Sequence, residues 1–342
     1  MGTNGGDCSL KKIGAVIAAV AAVVLVAFLV WDGIFNRTVT KDFFAMDTIV
    51  SISITGKNAD ECAAEVEKCV VELDNVLSRH KPTSEISLIN KTKSGSLSGE
   101  TTEYFRLLLD VSKKSGGAFD ITLGAVSDLW GFGSDPSVPD ETALAEALAE
   151  SGYENLSLSG NNITLQSGVV DFGAAGKGIA LDKIRTVLDN AKAKEAVISV
   201  GGSVLIYGKS NAKVGIRDPY GNAGRSIATL TVSDSCISTS GSYERYFEEQ
   251  GNRYHHILDP KTGCPVENEL ISVTVVSKSG AVSDALSTAC FVLDIENGAK
   301  LAEEYGCEVI FITKDKTVYA SDNIIQKLEI TDNTYTLKAY EN

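Results

Sequence analysis

The chain has 342 residues, 44% of them hydrophobic, and a formal net charge of −14. A body this acidic, without a basic run, excludes nucleic acid and anionic membrane surfaces as natural partners. Seven cysteines with no Cys-x-x-Cys pair speak against zinc and thioredoxin-like redox sites. A phosphate-bearing ligand stays compatible with the charge if a metal or local lysines offset the repulsion.

Residues 1–12 read as a cytoplasmic tail ending in Lys11 and Lys12. The uncharged run from Ile13 to Trp31 follows. As a helix it would cover roughly 28 Å, close to the hydrocarbon thickness of a bilayer. A cleavable signal peptide competes with this reading, but its apolar core is usually about 7–15 residues and ends in small residues. Here the run ends Phe28-Leu29-Val30-Trp31. The sequence therefore predicts an uncleaved single-pass anchor over 13–31, with the remainder outside the cytoplasm. The lysines before the span support that orientation, and Arg37 and Lys41 after it weaken the asymmetry.

Residues 32–41 read as a linker, polar from Asn36 to Lys41, and 42–335 as one exported domain. Val50–Thr55 alternates with period two, as a half-buried strand does. Cys62, Val66, Cys69, Leu73, Val76 and Leu77 recur at helical spacing from Asp60 to about Arg79. Further helices are expected from Thr101 or Thr102 to Lys114, over Leu123–Trp130, over Asp140–Ser151, and from about Ala174 to Asn190. Strands are expected at 163–165, 169–171, 196–200, 204–207, 214–216, 227–232, 254–258 and 272–276. Two helices, about 282–292 and 297–305, precede strands at 309–313 and 317–320. Strand runs dominate and helices intervene irregularly, which predicts an α+β fold: a mixed sheet with flanking helices.

Several stretches could carry chemistry, and each has a plain structural reading beside it. Gly116-Gly117-Ala118-Phe119-Asp120-Ile121-Thr122 either ends one helix and caps the next through Asp120, or lets backbone approach a planar ligand beside Phe119. Asp171-Phe172-Gly173-Ala174-Ala175-Gly176-Lys177-Gly178 is a tight strand-to-helix corner or an anion cradle completed by Lys177. It matches neither a Walker A loop nor a dinucleotide turn. Ser238 to Arg245 looks like hydroxyls capping a short helix, or a phosphate or ribose contact. Asp284 and Thr288 are four apart on one helical face and offer two hard oxygens to a magnesium ion. Alternatively, Asp284 answers the helix dipole and Thr288 bonds a carbonyl. Two of the three histidines adjoin in Tyr254-His255-His256-Ile257-Leu258-Asp259-Pro260-Lys261-Thr262-Gly263, a strand running into a turn.

In this order the stretches resemble the ApbE family, the FAD:protein FMN transferases. The resemblance spans about residues 44 to 322 and includes Met46-Asp47-Thr48, Ser78-x-His80-x-Pro82 and Ser84-Glu85-Ile86-Ser87-x-Ile89-Asn90. It continues through Gly117–Thr122, Gly176–Gly178, Thr239-Ser240-Gly241-x-Tyr243-Glu244-Arg245, His256–Pro260 with Thr262-Gly263, and Asp284-x-x-x-Thr288. It implies cleavage of FAD at its pyrophosphate, transfer of FMN to a Thr or Ser hydroxyl of an acceptor flavoprotein, release of AMP, and help from Mg2+. It implies metal ligation by Asp284, Thr288 and the backbone carbonyl of Gly176. It also implies that Met46, His80, Ala118, Phe119, Asp120, Lys177 and Ile257 contact FAD. His256 is the candidate for activating the acceptor hydroxyl, with Asp259 sharing or orienting that role. The chain departs from the family pattern at His80 (commonly tyrosine), Asp47 (frequently glycine) and Gly176 (commonly alanine). An FAD pyrophosphatase and a non-catalytic flavin-binding electron-transfer scaffold are the competing expectations.

Overall fold

The computed structural model describes residues 36–222 and 224–340. The expected tail and membrane anchor, 1–12 and 13–31, lie outside the described residues. Among those described, no helix is long and apolar enough to cross a membrane.

In chain order the elements are β1 (Arg37–Ala45), β2 (Thr48–Gly56), α1 (Ala59–Leu77), α2 (Glu85–Thr92), β3 (Ser94–Ser96), α3 (Gly99–Lys114), α4 (Gly124–Trp130) and α5 (Glu141–Glu150). Next come β4 (Leu156–Ser159), β5 (Asn162–Leu165), α6 (Gly176–Ala191), β6 (Glu195–Val200), β7 (Ser203–Tyr207), β8 (Ala212–Arg217), β9 (Ser226–Val232) and β10 (Ser235–Gly241). The rest are β11 (Tyr246–Glu249), β12 (Asn252–His255), β13 (Leu270–Ser277), α7 (Gly280–Val292), α8 (Ile295–Glu304), β14 (Glu308–Thr313), β15 (Thr317–Ala320), α9 (Asp322–Ile325), β16 (Leu328–Ile330) and β17 (Thr336–Ala339).

A nine-stranded sheet in the order β1-β2-β6-β7-β10-β13-β14-β15-β17 forms the frame. Its pairs are antiparallel except β15 with β17, so the sheet is mixed and the architecture α+β. The period-two alternation of the strands sends side chains to two separate cores. Val50, Ile52, Ile54, Ile198, Leu205, Val273, Val275, Val309 and Phe311 face the helices, with Val66, Val70, Ile184, Leu188 and Leu286 opposite. Ile206, Ile237, Ile271, Ile310 and Ile312 point the other way, onto Ile227, Ala228 and Leu230 of the small sheet β16-β9-β8. A third, aromatic cluster joins Trp130, Phe132, Phe247 and Tyr254, with ring centroids 5.2–6.3 Å apart. It fastens the β11–β12 hairpin to α4, and Trp130 Nε1 donates to the Gly263 carbonyl at 2.7 Å.

Five sequence expectations change. Asn36 to Lys41 is no linker: Arg37–Ala45 pairs along its whole length with β2, an edge strand whose largely exposed side chains carry no apolar alternation. With β17 joining the sheet at Thr336–Ala339, the folded unit runs beyond 42 and 335 at both ends. Residues 169–171 make only an isolated bridge, Val169 with Leu123. The Asn90 side chain takes up both the N–H and the carbonyl of Val170, at 2.7 and 2.9 Å, which closes that edge of the segment to a strand; the other edge bonds only the loop before α4. The hydroxyl run at 238–245 is the end of strand β10 and a turn, not a helix cap, and the strand expected over 254–258 stops at His255. Beyond it, the Ile257 N–H turns to His255 Nδ1 (3.3 Å).

Candidate active site

The site forms where α6 and α7 cross. A Cβ on Gly178 would lie 2.0 Å from the Gly280 carbonyl oxygen and 2.6 Å from Asp284 Cβ, so only glycine permits this approach. Asp182, one turn further along α6, caps α7: its carboxylate accepts from Gly280 N (2.6 Å), Ala281 N (3.0 Å) and Ser279 Oγ (2.7 Å). An anion at a helix N-terminus meets free N–H groups and the positive end of the dipole. The crossing therefore fixes the rotation of α7, and with it the direction of Asp284.

Asp284 is 3% exposed. Its Oδ2 accepts from Gly178 N at 2.9 Å and its Oδ1 from Ser203 Oγ at 3.1 Å, while Lys177 Nζ stands 3.8 Å from Oδ1. Thr288, one turn along, approaches Ser240 Oγ at 3.2 Å, and Ser240 also meets Ser287 Oγ at 2.8 Å. Ser238 pairs with Ser283 in the same way (2.9 Å). The strand hydroxyls once read as a cap thus face α7 as a polar layer. A buried carboxylate beside hydroxyls forms a set of hard oxygens, the donor chemistry of Mg2+ or Ca2+. Among the described residues, no group of three or more His, Cys, Asp or Glu is placed to hold a metal.

Gly176 is the first residue of α6, and the Met46 methyl lies 3.3 Å from where its Cβ would be. Met46 and Asp47 form the two-residue turn between β1 and β2, at φ 54° and 56°. Aspartate tolerates that left-handed conformation, whereas methionine adopts it only under local strain. Lys177 also flanks the Gly201-Gly202 turn, its Cδ 3.3 Å from the Cβ position of Gly201. Across the same turn lies the Glu244 carboxylate, 3.4 Å from the Cβ position of Gly202. Burial raises the Glu244 pKa above its usual value, and the charges of Lys177, Arg217 and Arg245 oppose that rise.

The adjacent histidines separate cleanly. His255 is buried with both ring nitrogens engaged, Nε2 with the Val266 carbonyl (3.1 Å) and Nδ1 with Ile257 N (3.3 Å), and its part is structural. His256 is half-buried; its backbone N–H and its Nδ1 both reach the Arg245 carbonyl, at 3.0 and 3.2 Å. A proton on Nδ1 for that bond leaves the lone pair on Nε2. Burial, and then the charge of Lys177, push the imidazole down to about 4, so it is neutral at physiological pH.

The other expected positions are more ordinary. Asp259 accepts from Lys261 N at 2.9 Å inside its own turn, where Gly263 N donates to its carbonyl at 2.8 Å; the bond described for its carboxylate serves the turn, not His256. Asp120 does not cap α4, which starts at Gly124: it accepts from Thr122 N and Oγ1 (both 2.7 Å) and from Tyr153 N (2.8 Å). Burial raises its pKa above the usual carboxylate value. Phe119, Ala118 and Ile257 are buried, and the Phe119 and Ile257 side chains belong to the helix-side core. These residues can meet a ligand chiefly through their backbone. His80 is exposed, in a turn after α1. The sequence reading missed Asp182, Ser203 and Gly280. A glycine at the start of a helix and an acid one turn along α6 from Gly178 were the available signals.

The ApbE family model matches residues 46–311. The FAD:protein FMN transferase of Treponema pallidum is 34% identical over 310 residues, covering 81% of this chain and 85% of that protein. The Escherichia coli K12 protein of the same name is 30% identical over 289 residues, covering 79% and 82%. The solved ApbE protein of Thermotoga maritima superposes with a TM-score of 0.79 at 28% identity, covering 85% of this chain and 99% of that one. The flavin transferase ApbE of Vibrio cholerae gives 0.76 at 26% identity, covering 85% and 99%. With the family model spanning most of its length and these relatives aligned across more than four fifths of theirs, the chain belongs to the ApbE family.

Proposed function

We propose that the chain transfers FMN from FAD to a Thr or Ser hydroxyl of an acceptor flavoprotein, releasing AMP with the help of Mg2+. The observation that carries this reading is the buried Asp284, set beside Lys177 and one helical turn from Thr288. A flavin-binding scaffold has no use for a carboxylate held ready in this way, whereas phosphoryl transfer needs charge neutralised at the pyrophosphate. Asp284, Thr288 and the Gly176 carbonyl would hold the metal, which when bound supplies electrostatic stabilisation of the phosphate oxygens.

The remaining work falls to this chain's own groups. Lys177 faces the phosphates as a second positive charge. His256 accepts the acceptor hydroxyl proton at Nε2, its ring held by the Arg245 carbonyl. The hydroxyl oxygen bonds to the FMN phosphorus, the bond to the AMP oxygen breaks, and AMP leaves with that oxygen. Asp259 shapes the turn that follows His256 and orients it only through the backbone.

The run 13–31 would tether the enzyme to the cell membrane, with the catalytic domain on the extracytoplasmic side. Its acceptor would then be a membrane or surface flavoprotein. Protease accessibility of the domain in intact cells tests this topology, and a fully protected domain would refute it.

The activity is tested with the full chain in detergent, FAD, Mg2+ and an acceptor domain bearing a reactive threonine. A flavin-fluorescent acceptor band on a denaturing gel, its mass increased by FMN less water and abolished by a chelator, is the expected result. AMP and free FMN without a labelled band would make the chain an FAD pyrophosphatase instead.

A further inference from the structure

We propose that Arg79 is a positioning residue for the nucleotide site, its one guanidinium holding together three segments that carry the FAD-contacting candidates. The identity of the ligand rests on the reading above; the clamp itself rests on geometry. The Arg79 side chain is 11% exposed. Its Nε donates to Asp171 Oδ2 at 2.8 Å, and its Nη1 and Nη2 donate to Asp128 Oδ2 and Oδ1 at 2.8 and 2.6 Å. The pairing with Asp128 is bidentate, and the third bond leaves the guanidinium toward a different carboxylate. A lysine could supply the charge but not this fork.

The three segments are distinct in sequence. Arg79 immediately precedes His80. Asp128 lies on α4, directly after the loop of Ala118, Phe119 and Asp120. Asp171 opens the loop that leads to Gly176 and Lys177, and its second oxygen accepts from Gly173 N (2.7 Å). The latter two segments are already joined through backbone, by Asp171 N to the Ile121 carbonyl (2.8 Å) and Gly124 N to the Val169 carbonyl (2.9 Å). The turn bearing His80 has no such backbone bond to either among the described residues. Arg79 sets its place directly, and Asn90, on α2 beyond the turn, does so at a distance through Val170. Arg79 touches none of Lys177, His256 or Asp284 in the described bonds, so it acts through the segments it holds.

The test compares FAD binding with turnover in the full chain, using Arg79→Gln, Arg79→Lys and Asp128→Asn. FAD affinity is read by equilibrium fluorescence without acceptor, and kcat by transfer at saturating FAD. The proposal expects FAD affinity to fall about tenfold or more in Arg79→Gln, with kcat kept within about twofold. Arg79→Lys should recover part of the loss. Asp128→Asn, whose side chain is 56% exposed, keeps the fold if Arg79→Gln does not, and should weaken FAD by severalfold. The double variant should add little to either single change, because both break one unit. Folded Asp128→Asn or Arg79→Gln binding FAD as wild type does would overturn the proposal, leaving the clamp to the fold alone. Wild-type protein that binds FAD but transfers nothing would sink the transferase reading and leave the clamp comparison readable. A wild type that binds no FAD would end both.

Discussion

On strand β10 two neighbouring residues look into different worlds. Ser238 turns to Ser283 on α7, while Ile237, next to it, enters the aliphatic core beneath β9. The same contrast holds across the sheet. The helical side carries a layer of buried Ser, Thr and Asp groups at α7, and the opposite side is mainly Ile, Val and Leu, with Ser272, Thr274 and Asp218 as buried polar exceptions. A satisfied polar layer adds little net stability, since each buried group first loses its water. The aliphatic layer adds stability and nothing else. The candidate chemistry thus sits on the helical side, while both sides carry apolar core.

Substitutions can break or sharpen that division, the largest effect on turnover first. Asp284→Asn preserves size but removes the charge, and FMN transfer should fall about a thousandfold. Its melting temperature should stay within about 4 °C of wild type; a large loss of stability would show that the polar layer also carries the fold. His256→Gln should lower transfer about a hundredfold. Because the imidazole is held down to about 4, kcat/KM should stay level as pH falls from about 8 to about 5 and drop only near that value, where the neutral base is lost. An inflection at the ordinary histidine value would remove His256 from the role.

Gly178→Ala places a methyl against the Gly280 carbonyl and tests the link between the two functions. Forcing α6 from α7 should cost about 1–3 kcal/mol in a denaturant titration. It should also lower turnover of the folded fraction about tenfold, by moving Asp284 relative to Lys177. Ile310→Ala, on the aliphatic side and fully buried, should have the smallest effect on turnover. It should lose about 2–5 kcal/mol of stability while kcat per folded molecule stays within about twofold.

Much of this was legible in the chain because periodicity reports burial. The helices α1, α3, α6 and α7 lie close to where their apolar spacing put them, and so do most central strands. Edge strand β1 was not legible, since neither of its faces is fully covered and only its partner defines it. The segment 169–171 was misread because one of its edges is taken by Asn90, 80 residues from Val170. At the site, Lys177, His256, Asp284 and Thr288 were visible as residue types suited to the chemistry. Asp182 and Ser203 were not, because their part is to bond a helix end or a carboxylate that only the folded chain brings near. Asp259 and Asp120 show the reverse: a carboxylate in an unusual motif can be consumed by its own turn.

The strand order has a consequence for how the molecule can be handled. β1 and β17 occupy opposite edges of the nine-stranded sheet. Eight spacings of about 4.8 Å separate those edges, roughly 38 Å along the sheet. A surface immobilised through the segment before β1 would therefore hold a reporter fused after β17 well away from itself. Joining the two ends into a permuted chain would need a linker long enough to span the width of the sheet.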